Sequence, residues 1–193
     1  MTVPNLITSI RLIMTPIFVI YLIDDELLSA MIVFVLSGVS DGIDGLVARL
    51  FNQKSKLGTY LDPLADKIIL VTAYVALAVR HLLPSWLAVT VLARDVLILL
   101  GVLVMSLQRM DFNIKPSMLS KITTCLQFIT VVAVLGRDYL KLPPEVHIYL
   151  LYVTAVFTIA SGLHYMHYWF KFMGEGINNN PKDTKMTHPK ESV

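Results

Sequence analysis

The chain has 193 residues, 55% of them hydrophobic and only 16% charged, and a mean hydropathy of +0.67. A water-soluble domain of this length must cover its core with more polar surface, so composition alone points to an integral membrane protein. The net charge of +2, from 16 Lys+Arg against 14 Asp+Glu, is too small for a nucleic-acid footprint, and the single cysteine, Cys125, excludes an intrachain disulfide framework or thiolate metal cluster.

Six apolar stretches follow one another at about residues 6–23, 27–48, 61–80, 84–107, 118–136 and 146–170. Each approaches the ~20 residues needed to cross a hydrocarbon core of roughly 30 Å, and none shows the two-residue alternation of a barrel strand. Because backbone groups in lipid must be satisfied within the segment, the expected fold is all-α with six transmembrane helices. The first stretch contains Pro16 and has neither a basic region before it nor a small-residue cleavage site after it, so it is expected to remain as a span. The connection after it, Asp24-Asp25-Glu26, has no positive charge, whereas the next carries Arg49, Lys54 and Lys56. Arg109 and Lys115 precede the fifth stretch, Lys121 lies one turn into it, and Lys171, Lys182, Lys185 and Lys190 follow the sixth. Only Arg80, Arg137 and Lys141 fall on the opposite side, so both termini are expected in the cytoplasm. A membrane unit over 1–173 and a disordered cytoplasmic tail over 174–193 complete the organisation, the tail having too few apolar residues to fold.

Carboxylates inside membrane helices are costly, by roughly 2.5–3.5 kcal/mol each on insertion scales, and mark function by default. Asp41 and Asp44 lie at the cytoplasmic end of the second stretch, and Asp62 and Asp66 at the same end of the third. Spacings of three and four place each pair on one helix face, and the short loop between the stretches makes the helices antiparallel neighbours. Four convergent carboxylates repel unless cations neutralise them, and an all-oxygen set favours two Mg²⁺ or Mn²⁺ ions over zinc. Gly45, Ala48 and Gly58 leave room for a flat ligand beside the carboxylates, and Arg49 supplies a phosphate donor. Read structurally, the same aspartates would be caps or ion-pair partners, and Asp62 before Pro63 has the look of an N-cap. That reading covers one or two carboxylates but not four in register with an Arg and two glycines. Gly38 is better explained by helix packing, and the five histidines show no metal-ligand spacing among themselves.

The pattern Asp41-x2-Asp44-Gly45-x2-Ala48-Arg49-x8-Gly58-x3-Asp62-x3-Asp66 matches the signature of the CDP-alcohol phosphotransferase family at every position. The resemblance covers about residues 4–170 and includes Pro4-Asn5-x2-Thr8-x2-Arg11. It implies a six-helix membrane enzyme, usually a homodimer among membrane lipids, that displaces CMP from CDP-diacylglycerol with an acceptor hydroxyl. Carried over by position, Asp41, Asp44, Asp62 and Asp66 would hold two metals, and Asp66 would also be the general base. Asn5, Thr8, Gly45, Ala48, Arg49, Ser55 and Gly58 would contact the CDP group. The implied location is the cell inner (plasma) membrane, with the active site at the cytoplasmic face.

Arg94, Lys115 and Lys121 could form a basic pocket for an anionic acceptor, although Arg94 precedes Asp95 and Lys121 can snorkel to the interface. Ala93-Arg94-Asp95 and the segment from Lys115 to Lys121 resemble the branch of phosphatidylglycerophosphate synthases and CMP-forming cardiolipin synthases. Glycerol 3-phosphate is ranked first as acceptor because the former is the commoner enzyme of the branch, with phosphatidylglycerol as the alternative. A small transporter or cation channel is the non-enzyme alternative, against which the carboxylates cluster at one membrane face and do not run across it.

Overall fold

The structure, a computed structural model, describes residues 3–51, 58–107 and 118–178, with side chains at 13–40, 67–101, 118–167 and 169. Among the described residues every secondary-structure element is a helix: α1 (Val3–Ile23), α2 (Leu27–Phe51), α3 (Gly58–Val79), α4 (Ser85–Leu107), α5 (Met118–Leu135), the single-turn α6 (Arg137–Leu140) and α7 (Pro144–Asn178). The six longer helices fall on the six apolar stretches. Helix α6 was not expected: it forms where α5 ends at Gly136 and is closed by Lys141 in the left-handed region, φ 46° and ψ 36°. Pro144 opens α7 at a position where a missing N–H costs little. That helix runs to Asn178, past the expected start of the tail at Gly174; residues 179–193 lie outside the described residues.

Two turns at one end of the molecule share a construction. Asp25 (φ 64°) and His81 (φ 56°) occupy the left-handed region after α1 and α3. In each case the next residue donates back to the carbonyl five before it, Glu26 to Tyr21 at 2.9 Å and Leu82 to Leu77 at 3.0 Å, which is the Schellman arrangement without its usual glycine. Arg80 joins the two turns by donating to the Ile23 carbonyl at 3.1 Å and pairing with the Asp25 carboxylate. The α1–α2 and α3–α4 connections therefore lie side by side, as successive antiparallel helices require.

Helix α1 packs on both α2 and α3, α2 reaches α5, and α4 and α5 each lie against α7. Direct contact between α2 and α3 is present but thinner than the contact each makes with α1. Phe18, Phe34 and Phe128 link three of these helices, with ring centroids 5.8 Å apart for the first two and 4.8 Å for the stacked second pair. A Cβ at Gly38 would fall on the Phe128 ring, so this glycine serves close helix approach, as expected.

Polarity is distributed inside out. Ile20, Val79, Val89, Tyr149 and Val156 are each more than half exposed, whereas Thr123, Gln127, Thr130, Thr154, Thr158 and Ser161 are fully buried. Water would make that arrangement expensive, but lipid makes it natural, since apolar residues can face the solvent while polar ones bond across helices. By length and apolarity, Met118–Leu135 and Pro144–His167 suffice to cross a membrane.

Candidate active site

Asp41, Asp44, Gly45, Ala48 and Arg49 are carried by α2, Gly58, Asp62 and Asp66 by α3, and Asn5 and Thr8 by α1. The three helices that bear the expected phosphate and metal chemistry are thus mutual neighbours. Side chains at these positions, together with Ser55 and Lys115, lie outside the described residues. One local expectation changes: α3 begins at Gly58, so Asp62 lies within the helix and does not cap its start.

One residue after Asp66 the side chains can be followed. Lys67 Nζ reaches Asp95 Oδ1 on α4 at 2.6 Å, and the same oxygen accepts from Arg94 Nη1, also at 2.6 Å. Arg94 Nη2 donates to Ser120 Oγ on α5 at 2.5 Å and to Ser161 Oγ on α7 at 3.1 Å. Four helices are thereby tied together at one level, through a residue that directly follows the last aspartate of the motif in α3. The side chains of Arg94 and Asp95 are 3% and 4% exposed, and that of Lys67 is 26% exposed. Ions so deep in an apolar medium persist only when paired, and here two cations share one carboxylate. Among the described residues Arg94 Nε and Asp95 Oδ2 have no hydrogen-bond partner. Lys121, the third basic residue of the expected acceptor pocket, is exposed.

A polar ladder continues from this cluster between α5 and α7. Thr123 donates to the carbonyls of Leu119 and Phe157, Gln127 Nε2 donates to Thr158 Oγ1 at 3.2 Å, and the hydroxyls of Thr130 and Thr154 meet at 2.7 Å. Tyr74 of α3 joins by donating to the Gln127 carbonyl. From the sequence alone Lys67, Ser120 and Ser161 have no assigned partner, and this ladder is not expected. A signal was available in the polar residues at 123, 127 and 130 and at 154, 158 and 161, which recur at helical spacing inside otherwise apolar stretches.

The CDP-alcohol phosphatidyltransferase profile matches residues 1–160, and the chain belongs to that family. Among curated relatives it is 32% identical to a rat CMP-forming cardiolipin synthase and 33% identical to the human one, each over 184 residues covering 86% of this chain. It spans 61% of the length of those two proteins. A CMP-forming cardiolipin synthase of Streptomyces coelicolor is 39% identical over 108 residues, which cover 53% of this chain and 50% of the relative.

Proposed function

We propose that the chain is a phosphatidyltransferase that moves the phosphatidyl group of CDP-diacylglycerol onto phosphatidylglycerol, forming cardiolipin and releasing CMP. The observation that carries the reaction class is the motif of four aspartates borne by two contacting helices, in a chain that belongs to the family. The acceptor ranking from the sequence is revised. Glycerol 3-phosphate stood first there, but the named relatives are CMP-forming cardiolipin synthases, which favours phosphatidylglycerol. The transporter reading gains nothing, since the buried charges of α3 and α4 are gathered in one cluster.

Asp41, Asp44, Asp62 and Asp66 form a hard-oxygen donor set suited to two Mg²⁺ or Mn²⁺ ions. When bound, these would offset the charge of the diphosphate and of the departing CMP. Arg49 and the small residues Gly45, Ala48 and Gly58, with Asn5, Thr8 and Ser55, receive the CDP group. Asp66 takes the proton of the acceptor hydroxyl as its oxygen attacks the phosphorus that bears diacylglycerol. The bond from that phosphorus to the bridging oxygen breaks, and CMP leaves with the electron pair. Arg94, Lys115 and Lys121 receive the anionic headgroup of the acceptor.

In this reading the six long helices all cross the membrane, both termini lie in the cytoplasm, the active site opens at the cytoplasmic face of the inner membrane, and the protein works as a homodimer. The test is CMP release by purified protein in vesicles containing CDP-diacylglycerol and Mg²⁺. Release that requires added phosphatidylglycerol and stops in excess chelator is expected; release independent of both would overturn the proposal.

A further inference from the structure

Asp95 has two carboxylate oxygens with different fates. Oδ1 accepts from both Lys67 and Arg94, while Oδ2 has no hydrogen-bond partner among the described residues although the side chain is only 4% exposed. A buried acceptor left unmade is costly, and neither neighbouring cation turns toward it. A ligand that relieves it must donate a hydrogen bond. A further cation is disfavoured, because two positive charges already face this single negative one. A phosphate oxygen is repelled by the carboxylate. What remains is a neutral donor, and among the groups of a glycerol-based acceptor that is a hydroxyl.

Placement narrows which hydroxyl. Asp95 is bound to Lys67, the residue after Asp66, so it stands beside the stretch of α3 that carries the expected proton acceptor. Its helix, α4, packs on α3 and α7, and the Arg94 guanidinium extends the cluster to α5 and α7. The expected CDP-binding positions are carried instead by α1, α2 and the start of α3. We propose that Asp95 Oδ2 accepts a hydrogen bond from the non-reacting hydroxyl of the acceptor's glycerol group, so that the enzyme selects acceptors whose attacking hydroxyl has a second hydroxyl beside it. This rests on the phosphatidyltransfer reading but is separate from the choice between a lipid and a soluble acceptor, because both candidates carry such a pair.

The experiment compares phosphatidylglycerol with phosphatidyl-1,3-propanediol, which keeps the attacking hydroxyl and lacks its neighbour. Wild-type protein is expected to show kcat/KM about 10- to 100-fold higher for phosphatidylglycerol, as befits a buried acceptor left unpaired by the analogue, with an unchanged KM for CDP-diacylglycerol. Lys67→Met with Asp95→Leu removes one charge of each sign, keeps the net charge of the cluster, and should reduce the preference to within about threefold. Equal use of both lipids by the wild type would overturn the proposal, whether or not the variant folds. A variant that keeps the preference but binds CDP-diacylglycerol more weakly would overturn it too, assigning Oδ2 to the donor substrate. If phosphatidylglycerol is not an acceptor at all, the cardiolipin reading fails on its own. The same comparison, made with glycerol 3-phosphate and 3-hydroxypropyl phosphate, then decides the hydroxyl proposal by the same margins.

Discussion

Lys67 on α3 and Asp95 on α4 meet at 2.6 Å, although each belongs to a helix whose other described residues are mostly apolar. The pair brings α4 to the helix that carries Asp62 and Asp66, and through Arg94 it brings α5 and α7 as well. Removing the carboxylate would leave two cations facing each other. Breaking a buried pair typically costs about 3–5 kcal/mol, so Asp95→Asn should markedly lower thermal stability in detergent. Lys67→Met should cost less, because Lys67 is partly exposed. If the two changes are coupled as the contact requires, the double substitution Lys67→Met/Asp95→Leu is more stable than Asp95→Asn alone, and unfolding midpoints of the three variants check this.

The approach of α2 to α5 depends on the absence of a side chain at Gly38. A valine there would drive into the Phe128 ring, which is itself stacked on Phe34. Overpacking of this kind costs about 1–3 kcal/mol, and Gly38→Val should lower the unfolding midpoint accordingly. Phe128→Leu in the same chain should restore part of the loss; no recovery would mean that the strain lies elsewhere.

Between α5 and α7 the hydroxyls of Thr130 and Thr154 bond to each other while Thr130 also bonds back to the Leu126 carbonyl. Such bonds within membranes average about 0.6 kcal/mol, with values up to about 1.7. Thr130→Val should therefore destabilise modestly, and a double-mutant cycle with Thr154→Val should show coupling in that range. A coupling near zero would make the ladder a consequence of packing and not one of its causes.

Much of this architecture was legible because lipid leaves the sequence few options. Apolar length fixed the six long helices, and charge or Pro marked their ends to within a few residues except at the far end of α7, which runs on to Asn178 and not to about 170. The motif could be placed on α2 and α3 for the same reason. The Lys67–Asp95 contact was harder to see, since the residues are far apart in sequence and no local pattern announces a pair formed between two helices. Arg94 was identified as a costly charge, but Ser120 and Ser161 as its partners follow only from how α4 and α5 lie against α7. Helix α6 depends on a tertiary detail of the same kind: Gly136 is hemmed in by Leu140 and Met31, where a Cβ would come within 2.8 Å and 2.9 Å of their side-chain atoms.

Topology is checked by reporters. The two turns joined by Arg80 and Asp25 share one end of the molecule, and the distribution of Lys and Arg leads to the expectation that ten basic residues face the other side of the membrane. A fusion after residue 175 should report cytoplasmic, and an insertion in the Asp24–Glu26 turn should report the opposite side. Both on one side would refute the six-span arrangement.

Asp66→Asn keeps the shape of the side chain and one oxygen but cannot take up a proton. Loss of a general base typically lowers turnover by about 10²–10⁴-fold, while affinity for CDP-diacylglycerol should change much less. Turnover within a few-fold of wild type would assign the base to another group. A parallel fall in affinity and turnover would make Asp66 chiefly a metal ligand.

The acceptor is decided most directly by offering both candidates to one enzyme. Purified protein in vesicles containing phosphatidylglycerol and CDP-diacylglycerol, with Mg²⁺ present and glycerol 3-phosphate in the medium, is followed by mass analysis of the lipid products. Cardiolipin and CMP are expected in equal amounts, with little phosphatidylglycerophosphate. Phosphatidylglycerophosphate as the main product, with no cardiolipin formed, would contradict the cardiolipin reading.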